Sequence, residues 1–279
     1  MMGSLEMMFV DGKRKALTLS YDDGTIHDRK LVALMNQYGI KGTFNLNSGI
    51  FGTKEQKTVN GIDTDFSRID AEEVKILYQG HEVASHTVTH PSLTGLPANL
   101  AAAEVLEDRS NLEELTGRPV RGFAYPFGTF NELVEEVLSA CGIEYARTVN
   151  STNDFTLPQE FLEWHPTCHH EAMELMELAR KFCEEDAGQA KVFYLWGHSY
   201  EFAQKDNWNL IEDFFNYINK FRDEIWMASN IEIFDYVKAF GQLRCSTDNR
   251  VLYNPTDIRL WIEVDGKIYS VNGGEKLEL

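Results

Sequence analysis

The 279-residue sequence has no hydrophobic run long enough to cross a membrane, and it has few cysteines. A membrane-spanning helix needs about 20 consecutive apolar residues, so we expect no transmembrane segment. The four cysteines are widely separated and include no Cys-x-x-Cys pair, which disfavours a disulfide framework or a thiolate zinc site. Because Glu6 and Asp11 interrupt the first residues and no apolar run follows, we expect no signal peptide and a cytoplasmic protein.

Basic residues are also scarce, at 26 Lys and Arg against 44 Asp and Glu, which gives a formal net charge of −18. Nucleic acids and anionic membranes are bound through surfaces rich in Lys and Arg, so the sequence excludes both as partners. A neutral substrate, or one that yields a cationic product, suits this charge better. Nothing in the sequence favours one oligomeric state, and no Gly-x-Ser-x-Gly nucleophile motif occurs.

Short apolar segments alternate with amphipathic helical patterns about seven times along the chain. The first strand is predicted at residues 16–20, and the helix after it carries an i, i+3, i+4, i+7 stripe of Leu31, Leu34, Met35 and Tyr38. Repeated βα units predict a parallel sheet with crossover helices, either an α/β barrel or an open doubly wound sheet. In both folds the functional residues follow the carboxyl ends of the strands.

The pattern changes after about Gly241. Alternating apolar residues at 258–264 and an Asp265-Gly266 turn are typical of antiparallel strands joined by a hairpin. We therefore predict a main domain at residues 1–243 and a small β appendage at 244–279, packed on it because so short a segment does not fold alone.

Three predicted strand ends carry polar clusters that contain Asp22, Asp23, His86, His90 and His198. Two adjacent carboxylates at a strand end point in different directions, so one can bind a metal while the other stays free as a base. His86 and His90 are four residues apart, which brings both imidazoles to one side of a helical turn. Two histidines and one carboxylate leave positions open for water and substrate, as a catalytic metal site requires.

Each cluster has an ordinary structural interpretation when it is taken alone. An Asp-Asp-Gly sequence is usually a turn, and an isolated His198 is more often a hydrogen-bonded core residue. His169 and His170 fall on a predicted loop, where histidines are usually exposed to solvent, although additional histidines near a metal site can also be ligands. Together, however, the clusters favour a metal-dependent hydrolase.

Four segments occur in a characteristic order: Leu19-Ser20-Tyr21-Asp22-Asp23-Gly24, His86-Thr87-Val88-Thr89-His90, Gly122-Phe123-Ala124-Tyr125-Pro126-Phe127-Gly128 and Leu195-Trp196-Gly197-His198. In this order they resemble the first, second, third and fifth motifs of the polysaccharide deacetylases of carbohydrate esterase family 4, the NodB-homology family. The resemblance extends from about Lys15 to Ala239.

This resemblance implies an α/β fold of the distorted (β/α)7-barrel type and metal-dependent removal of an N- or O-acetyl group from a sugar or oligosaccharide. By the same resemblance, Asp23, His86 and His90 hold one divalent cation, with Zn²⁺ favoured over Co²⁺, Ni²⁺ or Mn²⁺. Asp22 would then be the general base and His198 the general acid.

One departure from the family pattern concerns an arginine that usually precedes the proline of the third motif by two residues and pairs with the catalytic aspartate. Ala124 occupies that position here. Arg147, in the next predicted strand, is our candidate for the missing guanidinium, and we expect it to contact Asp22 and keep it ionised.

The remaining site residues are predicted from their places in the motifs. The backbone N–H of Phe127 is expected to stabilise the oxyanion, and Trp196, where the family usually has leucine, to form a wall of the acetyl-methyl pocket. Trp164 is expected in a wall of the substrate groove. Asp154 is a weak candidate for the carboxylate that orients His198.

Two other functions fit the motifs. One is a catalytically silent carbohydrate-binding relative, which is disfavoured because both aspartates and all three motif histidines are present. The other is a C–N hydrolase of a small cyclic amide, since the ligand set does not fix the size of the substrate.

Overall fold

A computed structural model describes residues 5–59 and 61–279 of the chain. Residues 1–4, on which the expected lack of a signal peptide partly rests, lie outside the described residues. Within the described ranges, no helix has both the length and the apolar character needed to span a bilayer.

The strands, numbered in chain order, are β1 (Leu5–Met8), β2 (Lys15–Asp22), β3 (Thr43–Leu46), β4 (Gln56–Val59), β5 (Ile62–Asp65), β6 (Glu82–Ser85), β7 (Gly122–Ala124), β8 (Tyr145–Arg147), β9 (Cys168–His169), β10 (Lys191–His198), β11 (Ile225–Met227), β12 (Arg244–Cys245), β13 (Val251–Tyr253), β14 (Leu260–Val264), β15 (Lys267–Val271) and β16 (Lys276–Glu278). The α-helices are α1 (Asp28–Tyr38), α2 (Val74–Leu77), α3 (Ala98–Thr116), α4 (Glu132–Ala140), α5 (Leu175–Glu184), α6 (Ser199–Gln204), α7 (Asn209–Asn219) and α8 (Asn230–Gly241).

A curled parallel sheet forms the centre of the molecule. Its strands follow the order β8-β7-β6-β3-β2-β10-β9, and β11 pairs with the first half of β2. The segment at residues 164–169 links the two ends of this path, because Trp164 bridges to Arg147 on β8 while β9 pairs with β10. The predicted distorted (β/α)7-type barrel is confirmed.

The first βα unit shows why the sequence pattern was informative. Every residue of β2 is buried, as expected for a strand covered on both faces. Helix α1 buries Leu31, Val32 and Met35 against it, and it ends at Gly39, whose φ of 63° is the left-handed cap conformation that glycine adopts without strain.

The sequence did not predict the β4–β5 hairpin or strand β9. The hairpin lies within the polar segment from Gly49 to Arg68, and most of its side chains are exposed. Strand β9 has only two residues. Neither element buries enough apolar side chains to produce a hydrophobic period, which is the signal on which strand prediction depends.

The C-terminal strands form two three-stranded antiparallel sheets, β1-β14-β15 and β12-β13-β16. The predicted turn between β14 and β15 has positive φ at Asp265 (49°) and Gly266 (77°), the backbone of a tight hairpin. Strand β1, which was not predicted, brings the beginning of the described chain into the first of these sheets.

Candidate active site

The sheet order brings the three polar clusters together at one end of the barrel. Strands β6, β3, β2 and β10 are consecutive neighbours and parallel. In their register, Asp22 at the end of β2 lies opposite Asn45 on β3 and His198 on β10. His86 follows β6 directly. The chemistry-bearing side chains therefore meet at the carboxyl ends of the strands, as the repeated βα pattern predicted.

Asp22 lies at the centre of this group and is only 2% exposed. Its carboxylate accepts hydrogen bonds from the Asn45 amide at 2.7 Å and from the guanidinium of Arg147. The Nε2 atoms of His86 and His198 lie 4.0 and 3.9 Å from Asp22 Oδ2. Burial raises the pKa of Asp22, but the positive charge of Arg147, with smaller effects of His86 and His198, lowers it further, so the pKa is below its usual value.

Asp23, His86 and His90 offer one ligand atom each, and these atoms lie within 4.8 Å of one another. His86 Nδ1 donates a hydrogen bond of 2.7 Å to the Ala124 carbonyl, which leaves the electron pair of its Nε2 directed towards the cluster. That Nε2 lies 3.1 Å from His90 Nε2, and His90 Nε2 lies 3.7 Å from Asp23 Oδ1. Among the described residues, Asp23 Oδ1 is buried with no hydrogen-bond partner.

This donor set fits a divalent cation. Two nitrogens about 2.0–2.1 Å from one zinc ion in a tetrahedral site are roughly 3.3 Å apart, close to the 3.1 Å observed. Burial lowers the pKa of His86 to about 4 and also lowers that of His90, so both imidazoles are neutral and able to ligate. The hydrogen bond from His86 to Ala124 is the kind of support that fixes the tautomer of a metal-bound histidine.

Arg68 was not predicted as a site residue. Its Nη1 donates a hydrogen bond of 2.6 Å to the backbone carbonyl of Asp23 and lies 3.4 Å from Asp23 Oδ1. Asp23 has a φ of 81°, in the left-handed region that is strained for residues other than glycine, and Arg68 restrains this turn. Arg68 is the last residue of the polar segment that begins at Gly49, so this segment borders the site.

The structure confirms the predicted contact between Arg147 and Asp22. On the neighbouring strands β7 and β8, Ala124 and Arg147 are direct register partners. Arg147 therefore delivers its guanidinium from the adjacent strand, beside the position where the family usually carries arginine. The side chain is fully buried, and its guanidinium stacks over the ring of Trp196 at 4.4 Å.

Glu201, and not Asp154, is the carboxylate beside His198. Glu201 Oε2 lies 3.3 Å from His198 Nδ1 and accepts a hydrogen bond of 2.9 Å from the His198 backbone N–H. Asp154 instead bonds Thr156 and the backbone N–H of Phe155. Burial lowers the pKa of His198, but Glu201 and the two aspartates raise it to about 9.

A local signal for Glu201 was present in the sequence. It lies three residues after His198, at the third position of helix α6, and the pair forms a capping box. A carboxylate at that position is a common helix-start feature. The candidate named from the sequence, Asp154, lies elsewhere in the chain.

The aromatic candidates have different outcomes. Phe127 is 66% exposed, has a φ of 58°, and presents its ring at 4.6 Å from that of His90, so it borders the site. Trp196 is half-buried against Arg147 and His169. The groove-wall prediction for Trp164 is wrong, because Trp164 is 2% exposed and packs in the core against aromatic rings.

The expectation that His169 and His170 are exposed is also wrong. The His170 side chain is fully buried and stacks between Tyr21 and Phe202. The side chain of His169 is 22% exposed and its Nε2 lies 3.1 Å from Glu201 Oε2. Strand β9 brings His169 into the sheet beside β10, and the His170 N–H donates a hydrogen bond of 2.8 Å to the Trp196 carbonyl on β10, which the sequence did not reveal.

Comparisons of the sequence with known proteins find relatives for about half of the chain. Residues 10–146 match the family model described as polysaccharide deacetylase. A chitin deacetylase from Pestalotiopsis sp. is 26% identical over 138 residues, which are 49% of this chain and 42% of the relative. This chain therefore spans less than half the length of that relative.

Two solved structures share the fold. One is a protein from Mycobacterium smegmatis regarded as a polysaccharide deacetylase, with a TM-score of 0.61, 16% identity, and coverage of 85% of this chain and 95% of the other. The second is a family 4 acetyl xylan esterase from Clostridium thermocellum in complex with a cobalt ion. Its TM-score is 0.52 at 11% identity, with coverage of 79% of this chain and 90% of the other.

Proposed function

We propose that the protein, whose residues 10–146 match the polysaccharide deacetylase family model, is a metal-dependent hydrolase that removes acetyl groups from an acetylated sugar or oligosaccharide. The observation that carries this proposal is a buried carboxylate, Asp22, held ionised beside a separate set of three metal-ligating atoms. Asp23, His86 and His90 of that set all lie within the matched residues, whereas Arg147 and His198 lie beyond them.

Asp23, His86 and His90 are the residues that would hold the cation. A divalent ion bound by such a set polarises a carbonyl and lowers the pKa of water. Two imidazoles and one carboxylate suit Zn²⁺ best among common ions, with Co²⁺ a close substitute. The cobalt ion of the similar acetyl xylan esterase supports this choice of ion class.

Asp22 is suited to take the proton of the attacking water. It is ionised, and the ligand atoms of the neighbouring cluster do not include its oxygens. Asn45 and Arg147 fix the carboxylate in one orientation, which is what a general base needs to act on a single water. The developing oxyanion would be stabilised by the backbone N–H of Phe127.

His198 is suited to protonate the leaving nitrogen or oxygen. Its pKa of about 9 keeps it as imidazolium at neutral pH. Its Nε2 lies 3.9 Å from Asp22 Oδ2, so the acid and the base face the same part of the site. Glu201 acts through His198: it binds the other side of the ring and its backbone N–H, so it is a positioning residue.

Replacing Glu201 with glutamine is expected to reduce kcat by about tenfold to a hundredfold, within the range of one acid–base contribution. Without the carboxylate the pKa of His198 falls, so the basic limb of the pH–rate profile should move to lower pH, while the acidic limb stays in place. Full profiles of kcat/KM for the wild type and Glu201→Gln measure this. Profiles with identical basic limbs would contradict the positioning role.

A silent carbohydrate-binding relative would need to lack at least one part of the reaction machinery. Here the base, the acid and the three ligands all converge. The complete set therefore supports an enzyme over a binding protein.

Acetate release from N-acetylated and O-acetylated oligosaccharides tests the proposed function. We expect release in the presence of Zn²⁺ or Co²⁺, near-complete loss after treatment with a chelator, and recovery when the metal is restored. His90→Ala should be inactive under every condition, and His165→Gln, outside the site, should behave as the wild type. Carbohydrate binding without acetate release from any of these substrates would contradict the proposal.

A further inference from the structure

A second group of metal-ligating atoms surrounds Glu201 Oε2, apart from Asp23, His86 and His90. His169 Nε2 lies 3.1 Å from this oxygen, His198 Nδ1 lies 3.3 Å away, and His170 Nε2 lies 3.4 Å away. The ligand atoms of His169, His198 and Glu201 are all within 4.8 Å of one another. Ligands of one tetrahedral zinc ion are separated by roughly 3.3 Å, so these contacts have the spacing of a shared cation.

Unpaired buried nitrogens near Glu201 also favour a bound cation. His170 is fully buried, and both of its ring nitrogens lack a hydrogen-bond partner among the described residues. Buried polar atoms are nearly always paired, and each unpaired atom costs about 1–3 kcal/mol. A cation bound beside Glu201 would place a positive charge next to the unpaired Nε2 of His170, which lies 3.4 Å from Glu201 Oε2.

We propose that His169, His198 and Glu201 form a second, inhibitory binding site for a divalent cation of the zinc class. Two imidazoles and one carboxylate again form the ligand set. The site includes the unused nitrogen of the acid histidine, and His170 borders it.

Inhibition follows from the two nitrogens of His198, and this step rests on the proposed function. An imidazole that ligates a cation through Nδ1 has given up the proton on that nitrogen and is no longer an imidazolium. Its Nε2–H is then a much weaker acid, so protonation of the leaving group slows. Occupation of the second site therefore reduces the reaction without displacing the cation at Asp23, His86 and His90.

The second site is expected to bind more weakly than the first. His169 Nδ1 accepts a hydrogen bond of 3.2 Å from the Glu171 N–H, which places the proton of the neutral ring on Nε2. That proton must move before Nε2 can ligate. His86 needs no such change, because its Nδ1 already donates to Ala124. The second site should therefore fill only when the cation is in excess.

Zinc content after equilibrium dialysis of the full chain tests the binding. We expect two zinc ions per wild-type chain at excess zinc, one in His169→Gln, and one in His90→Ala. His165→Gln, a control histidine outside both clusters, should retain two. His169→Gln keeps a donor for Glu201, and its thermal melting curve verifies folding. A wild type that binds a single zinc, or a His169→Gln variant that still binds two, overturns the proposal.

The dependence of the deacetylation rate on zinc concentration tests the inhibition separately. The wild-type rate should rise with the first zinc and fall at excess, and in His169→Gln the fall should need at least about tenfold more zinc. Equal inhibition of both proteins overturns the inhibitory role. If no acetate is released by any protein, but His169→Gln still loses one zinc, the second site stands and the proposed function fails.

Discussion

Replacing Asp22 with asparagine is expected to lower kcat/KM for deacetylation by about 10²–10⁴-fold, the usual contribution of a general base. The amide keeps the shape of the side chain, but it has no charge and does not accept a proton at neutral pH. Zinc affinity should be nearly unchanged, because Asp22 does not belong to the cluster of Asp23, His86 and His90. Steady-state kinetics and zinc content on the same preparation measure both effects.

Asp28→Asn is a matched control for this experiment. Asp28 is a second fully buried aspartate near the end of β2, hydrogen-bonded to Tyr78 and Ser199, and burial raises its pKa to about 7. Asp28 lies outside the cluster of ligands, so the Asp28→Asn enzyme should retain most of the wild-type activity. An Asp22→Asn enzyme that is as active as Asp28→Asn would remove Asp22 from the role of base.

Replacing Arg147 with methionine is expected to damage both the reaction and the fold. The guanidinium opposes the effect of burial on Asp22. Without it the pKa of Asp22 rises, the carboxylate binds a proton in the neutral range, and the acidic limb of the pH–rate profile moves to higher pH. Removal of one partner of a buried ion pair also lowers the free energy of unfolding by about 3–5 kcal/mol. The pH profile and chemical denaturation measure the two effects.

Arg147→Lys separates charge from geometry. Lysine retains the positive charge but not the planar fork that bonds a carboxylate or stacks on the Trp196 ring. Compared with Arg147→Met, the Arg147→Lys enzyme should have an acidic limb closer to its wild-type pH. It should recover a smaller share of the lost free energy of unfolding. An acidic limb that stays at its wild-type pH in Arg147→Met would show that this guanidinium does not keep Asp22 ionised.

The residues that sequence reasoning located correctly share a strong local signal. The βα repeat predicted which strand ends meet, because parallel strands place their carboxyl ends at one edge, and Asp22, His86 and His198 lie there. Arg147 was predicted because the position where the family usually has arginine is occupied by Ala124. Ala124 cannot supply a charge, and the next strand carries an arginine whose register partner is Ala124.

The residues that it missed depend on contacts distant in sequence or hidden in short elements. Arg68 reaches Asp23 only because its loop folds back across the end of β2. Trp164 and His170 were misplaced because the segment at residues 164–170 was taken for a loop. Its two-residue strand and single bridge carry no periodic pattern. Glu201 had a local signal, but a helix cap does not by itself indicate that the capping residue is a catalytic histidine.

Anomalous diffraction at the zinc absorption edge, on crystals of the full chain grown with zinc, tests the central claim most directly. The account predicts an anomalous peak about 2.0–2.2 Å from a carboxylate oxygen of Asp23 and from the Nε2 atoms of His86 and His90. Zinc-containing crystals in which these three side chains share no peak would contradict it.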